Sequence, residues 1–424
     1  MSITGAGALP AAAAESATDA APASEAAPSE LELAPTAAEL DAPRPGRAAL
    51  AMGAMLALGT AWYWAYRGDN AVDWDDPNLS ARVSGEAWRM DNNGLALNFL
   101  AHPFSGTAFY AVARSQHLSV PTSALYSFLT SFGWEYIVEF REKVSINDVI
   151  VTPGAGIAMG EFFHKLGLYV NSSTTPPTGF KNFARVVTGP TVALTRWLDG
   201  DTRRGAPPPD ALGFSSQIHH DFRFHYGFWR GDAITAIALD RHELGFSGKL
   251  VAIPGYQKPG AFVRTLTDGN VTELSVAVSH SEEGNGLELF ADTLLVGHYL
   301  QNVADPDNGA SALVGSSIAY HFLDSHAAGV PERRGVFHFP GVAAETELSW
   351  RGIRAKLWAR AHVDFGGIGS LAYPLWLEEF PDERPKAILL KEGYYYGLGG
   401  TGRVRASLGW GPIELRSTLE AAYY

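Results

Sequence analysis

Two carboxylates, a histidine and an arginine in the N-terminal half of the chain could together carry acid and base chemistry. Glu135 and Glu139 lie four residues apart in a segment, Leu125 to Phe140, that is predicted to be a helix, so they should share one face. His102 and Arg114 come from neighbouring segments that could meet them. Such a group, packed between apolar helices, could be an acid/base site or a buried ion network that holds the helices together. We favour the network, because buried charges perturb one another whether or not a reaction occurs.

Another acid, Asp148, lies in a sequence that is typical of the start of a helix. Ser145, Asn147 and Asp148 belong to an S-x-x-D pattern ahead of an apolar run, which predicts a capping box. The Ser145 hydroxyl would accept a hydrogen bond from the amide three residues on, while Asp148 reaches back and favours the helix N-terminus. The candidates for catalysis are thus His102, Glu135, Glu139 and Asp148.

The helix predicted after this cap has small residues where another helix could approach. Gly156 and Gly160 have the G-x-x-x-G spacing, which leaves two bare patches on one helix face. Pro153 should start or kink this helix, because proline lacks the amide that a helix interior needs. Glu161 follows, and we count it with Arg114 in the predicted polar network. No strand precedes Gly154, so these glycines do not predict a dinucleotide site.

A histidine-rich segment suggests metal binding but favours another interpretation. His219, Asp221, Arg223 and His225 alternate with apolar residues, so a strand would place them in one row on one face, with His220 on the other. We interpret the row as a polar lumen face rather than a ligand set. No metal or other cofactor is expected, and no nucleophile-elbow, zinc-protease or phosphate-loop motif is present.

The chain between Trp88 and Glu161 resembles a known family. It carries, in order, Trp88 to Asn93, His102-Pro103, Tyr110 with Ala113-Arg114, Trp134-Glu135-Tyr136, Ser145-x-Asn147-Asp148 and a glycine-containing helix that ends in Gly160-Glu161. This order resembles the bacterial DUF3943 family of unknown function, over about Ala48 to Leu168. Phe104 departs from the family pattern, in which tyrosine is commoner. The resemblance implies a cell-envelope protein of the outer membrane, whose activity the family does not disclose.

Long alternating segments in the C-terminal half predict an antiparallel sheet. Between Ile353 and Phe365 the odd positions are apolar and the even positions are mostly charged, over about thirteen residues, where ordinary strands have about five or six. Residues 403–410 and 413–423 alternate likewise around the turn at Gly411 and predict a hairpin. Strands that cross a bilayer need about 9 to 11 residues with an apolar outer face. We therefore predict an α+β chain in which residues 213–424 form a transmembrane β-barrel of about ten to twelve strands.

Composition is compatible with this interpretation. The 424 residues contain no cysteine, so disulfides and thiolate metal sites are excluded, and the mean hydropathy of -0.03 is expected of a barrel whose polar lumen offsets its apolar exterior. The net charge of -13 argues against nucleic acid as a partner. A periplasmic β-sandwich remains an alternative, because its strands also alternate.

The N-terminal half divides into three predicted parts. Residues 1–45 are rich in alanine and proline and should be a disordered tail. Residues 46–70 are apolar and end in an aromatic cluster, which favours a helix that lies at the membrane interface or docks on the protein over one that spans it. Residues 71–212 should form the helical DUF3943-like domain and a linker, packed at one barrel end or plugging it. No basic segment and compact apolar run follow Met1, so we expect the export signal to lie elsewhere.

Three functions follow from these expectations. The first is a non-enzymatic anchor or narrow channel in the bacterial outer membrane, with the lipid bilayer as its partner. The second is a membrane-embedded enzyme that modifies lipid at the polar centre of the helical domain. The third is a soluble periplasmic protein that binds a small molecule, which requires the sandwich fold.

Overall fold

A computed structural model describes residues 40–66, 79–232, 238–282, 284–327, 330–369, 378–381 and 388–424. The predicted disordered tail therefore lies outside the described residues as far as residue 39. Residues 41–424 form one compact unit in which helices accompany a large antiparallel sheet. The predicted combination of a helical part and a C-terminal antiparallel sheet is confirmed.

Most of the helices precede the sheet. These helices are α1 (Pro45–Tyr66), α2 (Leu79–Ser84), α3 (His102–Ser115), α4 (Val120–Gly133), α5 (Ile146–Asn171), α6 (Gly179–Thr188) and α7 (Pro190–Leu198). A further helix, α8 (Ile388–Glu392), lies late in the chain, among the strands. The prediction of one regular helix from Leu125 to Phe140 is wrong at its C-terminal end, because the α-helix ends at Gly133. After Gly133 the chain forms a wider π-helical turn, Trp134–Val138, closed by the Glu139 amide, which donates to the carbonyl of Trp134 at 3.0 Å. Glu139 therefore lies beyond the helix, and regular helical spacing does not relate it to Glu135.

The strands form two sheets. Strands β1 (Trp88–Arg89) and β2 (Val144–Ser145) make a short parallel pair. The large sheet contains β3 (His219–Asp232), β4 (Ala238–Val251), β5 (Gly260–Leu266), β6 (Val271–Ser281), β7 (Gly284–Asp305), β8 (Asn308–Ala327), β9 (Val330–Trp350), β10 (Ile353–Gly369), β11 (Tyr394–Trp410) and β12 (Ile413–Tyr423). These ten strands lie in one sheet, so the two packed sheets of a sandwich are not found among the described residues.

The order of neighbours in the large sheet is β12-β11-β10-β9-β8-β7-β6-β4-β3, and β5 pairs with the other half of β7. Each neighbouring pair is antiparallel, including the predicted hairpin of β11 and β12 around Gly411. The order has nine positions, so the edge strands β3 and β12 point in the same direction.

Charged side chains cover the concave face of this curled sheet. Lys249 on β4 pairs with Glu345 on β9, four positions away, and Arg405 on β11 lies 2.7 Å from Glu273 on β6, five positions away. Strands are spaced about 4.8 Å apart, so such pairs can meet only across a concavity. The predicted alternation is confirmed on β10, where Arg360 is buried on this face and Leu357 is exposed on the other.

Helix α5 packs against the convex face. Phe162 lies where a side chain at Gly248 of β4 would stand, and Phe337 of β9 fills the space beside Gly154. The buried core here joins α5 to apolar residues of β4 and β6 to β11. The helical part therefore covers the outer surface of the sheet, and the expectation that it sits at or plugs one end is wrong. The reason is that large apolar side chains of the sheet point outward here and need a cover.

Only part of the convex face is covered. The register shifts near Leu295 in β7 and near Phe339 and Pro340 in β9 lie at the same level of the sheet and mark a boundary. On one side, α5 and the turn at Leu97–Ala101 pack on the strands. On the other side, from this level to Trp350 and Trp410 at the ends of β9 and β11, the convex face is open.

Helix α1 packs on α3 and α4 through Ala48 and Met52. Most of its surface is exposed, including Leu50, Leu58 and Trp62. Among the described residues it is the one helix long and apolar enough to cross a membrane.

Candidate functional site: an acidic pocket beside helix α5

The N-terminus of α5 is capped by two neighbouring segments. The Ser145 hydroxyl accepts a hydrogen bond from the Asp148 amide at 3.2 Å, as the sequence predicts. The second hydrogen bond of a capping box would join the Ser145 amide to the Asp148 carboxylate. Here the Ser145 amide donates to the Glu135 carboxylate instead, at 3.0 Å. Asp148 instead accepts from the Asn147 side chain at 2.9 Å, so the expectation that Asp148 reaches back is wrong. Its carboxylate is left available to the space beside the helix.

Asn147 fixes the segment that carries a further acid. Its side-chain oxygen accepts from the Asp91 amide at 2.7 Å and from the Ser145 hydroxyl at 3.0 Å. The parallel pairing of β1 with β2 places Arg89 beside Ser145. The chain around Asp91 is therefore held against the start of α5, and the Asp91 side chain faces the same space as Asp148.

These segments enclose a small cavity of about 30 Å³, enough for a water-sized group. His102, at the start of α3, approaches Asp148 with 3.9 Å between Nε2 and Oδ2. Glu139 accepts a hydrogen bond from the Trp134 indole at 2.8 Å. The residues that line the cavity are Arg89, Asp91, Asn93, His102, Glu139, Glu142, Lys143, Ser145 and Asp148.

Burial dominates the electrostatics of this pocket. It raises the pKa of Glu135, Glu139 and Asp148, and the neighbouring carboxylates add to the effect. Burial also raises the pKa of Glu142 to about 7 and lowers the pKa of His102. Near neutral pH the pocket therefore holds carboxyl groups that can carry a proton beside an uncharged imidazole. Such groups can donate and accept protons, as general acid and base catalysts must.

The other predicted polar residues form a separate cluster. Arg114 donates two hydrogen bonds to the Glu161 carboxylate, from Nε at 2.8 Å and from Nη2 at 2.9 Å. Glu161 also accepts from the Tyr110 hydroxyl at 2.7 Å and lies 3.3 Å from Lys165. Burial alone would raise the pKa of Glu161, but Lys165 and Arg114 outweigh it and hold the pKa below its usual value.

This cluster joins the helices to the sheet. Asp268, in the turn between β5 and β6, accepts from Arg114 at 2.8 Å and lies 3.3 Å from Lys165. The neighbouring Gly269 has φ of +56° and sits against the Glu161 side chain, where a Cβ would lie 2.5 Å from its Cγ. A larger residue would fit neither the backbone angle nor the space.

The structure thus divides the predicted network into two. Glu135, Glu139, Ser145, Asn147, Asp148 and His102 come together, whereas Arg114 and Glu161 lie elsewhere. Asp148 and Glu161 are thirteen residues apart on α5, which corresponds to about 20 Å along a helix. The expectation that Arg114 meets Glu135 and Glu139 is wrong, because α3 crosses α5 at the glycine pair. There, a Cβ on Gly156 would lie 2.4 Å from the backbone of Gly106, and Arg114 lies beyond that crossing.

The histidine row lies on the concave face of the sheet. His219, Asp221 and Arg223 line a cavity of about 120 Å³, and His225 stands 3.5 Å from Glu243. His220 faces the other way, 3.5 Å from Asp210. In the part of the chain that the structure describes, no three histidine, aspartate or glutamate side chains are arranged to hold a metal ion.

Sequence reasoning missed three acidic residues of these clusters. Asp91 and Glu142 line the pocket, and Asp268 completes the second cluster. Asp91 lies inside the Trp88 to Asn93 motif and could have been singled out there. Asp268 comes from a distant turn and left no local signal.

The fold and the pocket define a chain with a curled antiparallel sheet and a helical domain on its convex face. The domain is built around a capped helix with one polar cluster at its N-terminus and another at Glu161. Residues 87–191 match the model of the family described as a domain of unknown function, DUF3943, in agreement with the resemblance noted in the sequence. The match begins later than the resemblance suggests and continues through α6. No curated protein and no solved structure matches the chain.

Proposed function

We propose that the chain is an outer-membrane protein whose sheet is embedded in the bilayer through the open part of its convex face, and that this embedding anchors the DUF3943 domain. The observation that carries the proposal is the length of the open zone. On β10 it runs from Ile353 to Val363, which is 63% exposed, and on β11 from Gly400 to Trp410. That is eleven residues per strand, within the range of about 9 to 11 that a tilted strand needs to cross a bilayer.

The composition of this zone supports the same proposal. Outward positions on β9 to β12 are apolar and exposed, with Leu357 46% and Trp410 72% exposed. A surface of this extent is rare on monomeric soluble proteins. Trp350 and Trp410 stand at the turn end, where aromatic residues mark the interface in membrane sheets. The exposed outward side chains are Val314, Val342, Leu348, Trp350, Leu357, Val404, Leu408, Trp410, Ile413, Leu415, Leu419 and Tyr423.

The concave face favours an anchor over a channel. Arg360 reaches Asp292 at 2.8 Å and Glu345 at 2.7 Å, and Lys249 pairs with the same Glu345. These pairs cross the concavity and fill it with charged side chains that satisfy one another. The cavities that remain there, of about 120 and 380 Å³, lie between such pairs.

A pair of substitutions tests the membrane proposal. Leu357→Arg places a charge in the middle of the open zone and should cost about 2 to 4 kcal/mol if lipid covers it. If water covers it, an exposed leucine should accept arginine within about 0.5 kcal/mol. The measurement is the folded fraction in lipid and in detergent, from heat-modifiable electrophoretic mobility. Ser407→Glu is the matched control, because position 407 faces inward between Lys356 and Arg416. Equal tolerance of the two substitutions would overturn the proposal.

Arg360 is not a suitable control. Alternation alone predicts that Arg360→Ser is tolerated, since position 360 faces away from lipid. The structure contradicts this, because the substitution would leave the buried Asp292 without its cation.

A second candidate function is supported by the acidic pocket. Carboxyl groups with raised pKa beside an uncharged His102 are the groups that a proton-transfer enzyme needs. In this alternative the substrate is a lipid of the membrane that holds the sheet. A changed lipid profile in a deletion strain, restored by the wild-type gene and not by Asp148→Asn, would support it.

A further inference from the structure

A large cavity outside the acidic pocket lies between α6, α7 and the C-terminal end of α5. Its volume is about 740 Å³, within the range of small-molecule sites. Four arginines line it, Arg185, Arg196, Arg203 and Arg204, and Asp201 is the single carboxylate among the lining residues. The whole chain has a net charge of -13, so this concentration of positive charge is local.

The arginines converge at the end of α5. Arg185 Nη2 and Arg196 Nη1 both donate to the carbonyl oxygen of Asn171, each at 3.3 Å. Two guanidinium groups therefore share one acceptor, and Arg196 also lies 3.5 Å from Asp201. Burial lowers the pKa of Arg185 and of Arg196, and the nearness of Arg196 lowers that of Arg185 further. An anion between them would relieve this repulsion.

Helix capping accounts for only some of these residues. Cations stabilise the negative end of a helix, and Arg185 also donates to the carbonyl of Val170 at 3.3 Å. Arg203 instead pairs with Asp201 and Asp41, at 3.0 and 2.8 Å, and Arg204 is exposed at the cavity rim. Capping requires neither of them.

The rest of the lining is apolar. Val186 on α6 and Leu194 and Trp197 on α7 line the cavity, and Trp197 is 75% exposed. Helix α6 has no buried residue and also exposes Phe180 and Phe183. An amphipathic helix with exposed aromatic residues is typical of a surface that meets lipid. A site that joins arginines to such walls fits a ligand with an anionic head and an apolar tail.

We propose that this cavity binds the phosphate head group of an anionic phospholipid. Arginine presents N–H donors in a fork that matches phosphate oxygens. The acyl chains would lie along Val186, Leu194 and Trp197. The site is separate from the open zone of the sheet, so the inference does not depend on whether the strands cross a bilayer.

The test measures binding to the full chain in a neutral detergent. The three probes are dihexanoyl phosphatidylglycerol, dihexanoyl phosphatidylcholine and inorganic phosphate, each titrated by calorimetry. We expect saturable binding of phosphatidylglycerol at one site, at least about tenfold tighter than either of the other probes. The choline cation of phosphatidylcholine offsets the charge of its phosphate, and inorganic phosphate has no acyl chains. Equal affinity for phosphatidylcholine would overturn the role of the arginines. Equal affinity for inorganic phosphate would overturn the lipid as ligand.

Variants locate the site. Arg204→Gln should weaken binding roughly fivefold, as expected for the loss of one cation near an anionic head group. Its side chain is exposed, so the fold should be retained. Arg264→Gln, at another exposed arginine, is the matched control and should leave binding unchanged. Arg185→Gln should weaken binding further, but it also removes contacts to α5, so the single change at Arg204 decides. The same affinity in the Arg204 and Arg264 variants would overturn the proposal.

Discussion

Helix α5 buries carboxylates in opposite ways at its N-terminus, near Asp148, and thirteen residues farther on, at Glu161. At Glu161 the charge is matched by Arg114 and Lys165, with Asp268 and Tyr110 completing the contacts. At Asp148 burial and the neighbouring Asp91 raise the carboxyl pKa, and the nearby His102 is held uncharged by burial, while Arg89 and Lys143 also line the pocket. A matched buried charge holds elements together, whereas an unmatched one costs stability. An arrangement that is costly to fold points to a role in binding or proton transfer at the Asp148 pocket.

The largest effect is expected in the charge-matched cluster around Glu161. Glu161→Gln leaves Arg114 and Lys165 buried with too little negative charge and should lower the free energy of unfolding by about 3 to 5 kcal/mol. Chemical denaturation of the full chain, followed by tryptophan fluorescence, measures this change. Glu86→Gln at an exposed position is the control and should alter stability by less than about 0.5 kcal/mol. A Glu161 variant as stable as this control would show that the cluster does not hold the helices to the sheet.

A smaller effect on stability is expected from pH, with opposite sign for the Asp148 pocket and the Glu161 cluster. The raised pKa of Glu139 and Asp148 means that the folded chain binds protons that the unfolded chain releases. The stability that these bound protons contribute is present below the ordinary carboxyl pKa and is lost as pH rises through the raised pKa values. Glu142 in the same pocket, with a pKa of about 7, contributes in the same way. Glu161 has a lowered pKa, so its contribution is present above the ordinary value and is lost as pH falls through the lowered one.

The melting temperature should therefore fall by several degrees between about pH 5 and pH 8. The fall should be weaker in the double variant Glu139→Gln, Asp148→Asn, which cannot release these protons. A melting temperature that is flat over this range in the wild type would mean that the carboxyl groups titrate as if exposed.

The smallest effect on stability is expected for Asp148→Asn alone. The amide keeps the shape and can still accept from Asn147, so unfolding at neutral pH should change by no more than about 1 kcal/mol. Rescue of a deletion strain then separates the two interpretations of the pocket. A stable variant that fails to rescue favours acid/base chemistry, because asparagine cannot exchange a proton. A variant that rescues fully would end the enzyme alternative at this site.

Local patterns in the sequence predicted local structure well. Alternation between Ile353 and Phe365 identified which side chains of β10 face outward, and the S-x-x-D pattern located the start of α5. The Gly156 and Gly160 pair predicted a close helix crossing, which Gly106 and Tyr110 of α3 supply. Pro153 did not break α5, because the helix begins seven residues earlier and continues through it. Each successful prediction used neighbours within a few residues.

Long-range partners could not be predicted in this way. Nothing near Glu135 in the sequence indicates that its partner is the Ser145 amide, because that contact depends on the π-helical turn after Gly133. The pairing of Arg360 with Asp292 depends on how strongly the sheet curls. The docking of α5 on one half of the convex face could not be predicted, because both halves of the long strands are apolar outward and alternation reports them alike.

The shared direction of the edge strands β3 and β12 limits how this architecture can change in evolution. Sheets of this kind grow by gaining or losing hairpins, and each such event alters the number of positions by two. A sheet with nine positions would therefore keep an odd number through any series of hairpin duplications. Its first and last strands could then meet only as a parallel pair. A closed ring in which every pair is antiparallel needs an even number of positions, and therefore the gain or loss of a single strand. That is a rarer event, because one added strand moves the end of the last strand to the opposite end of the barrel.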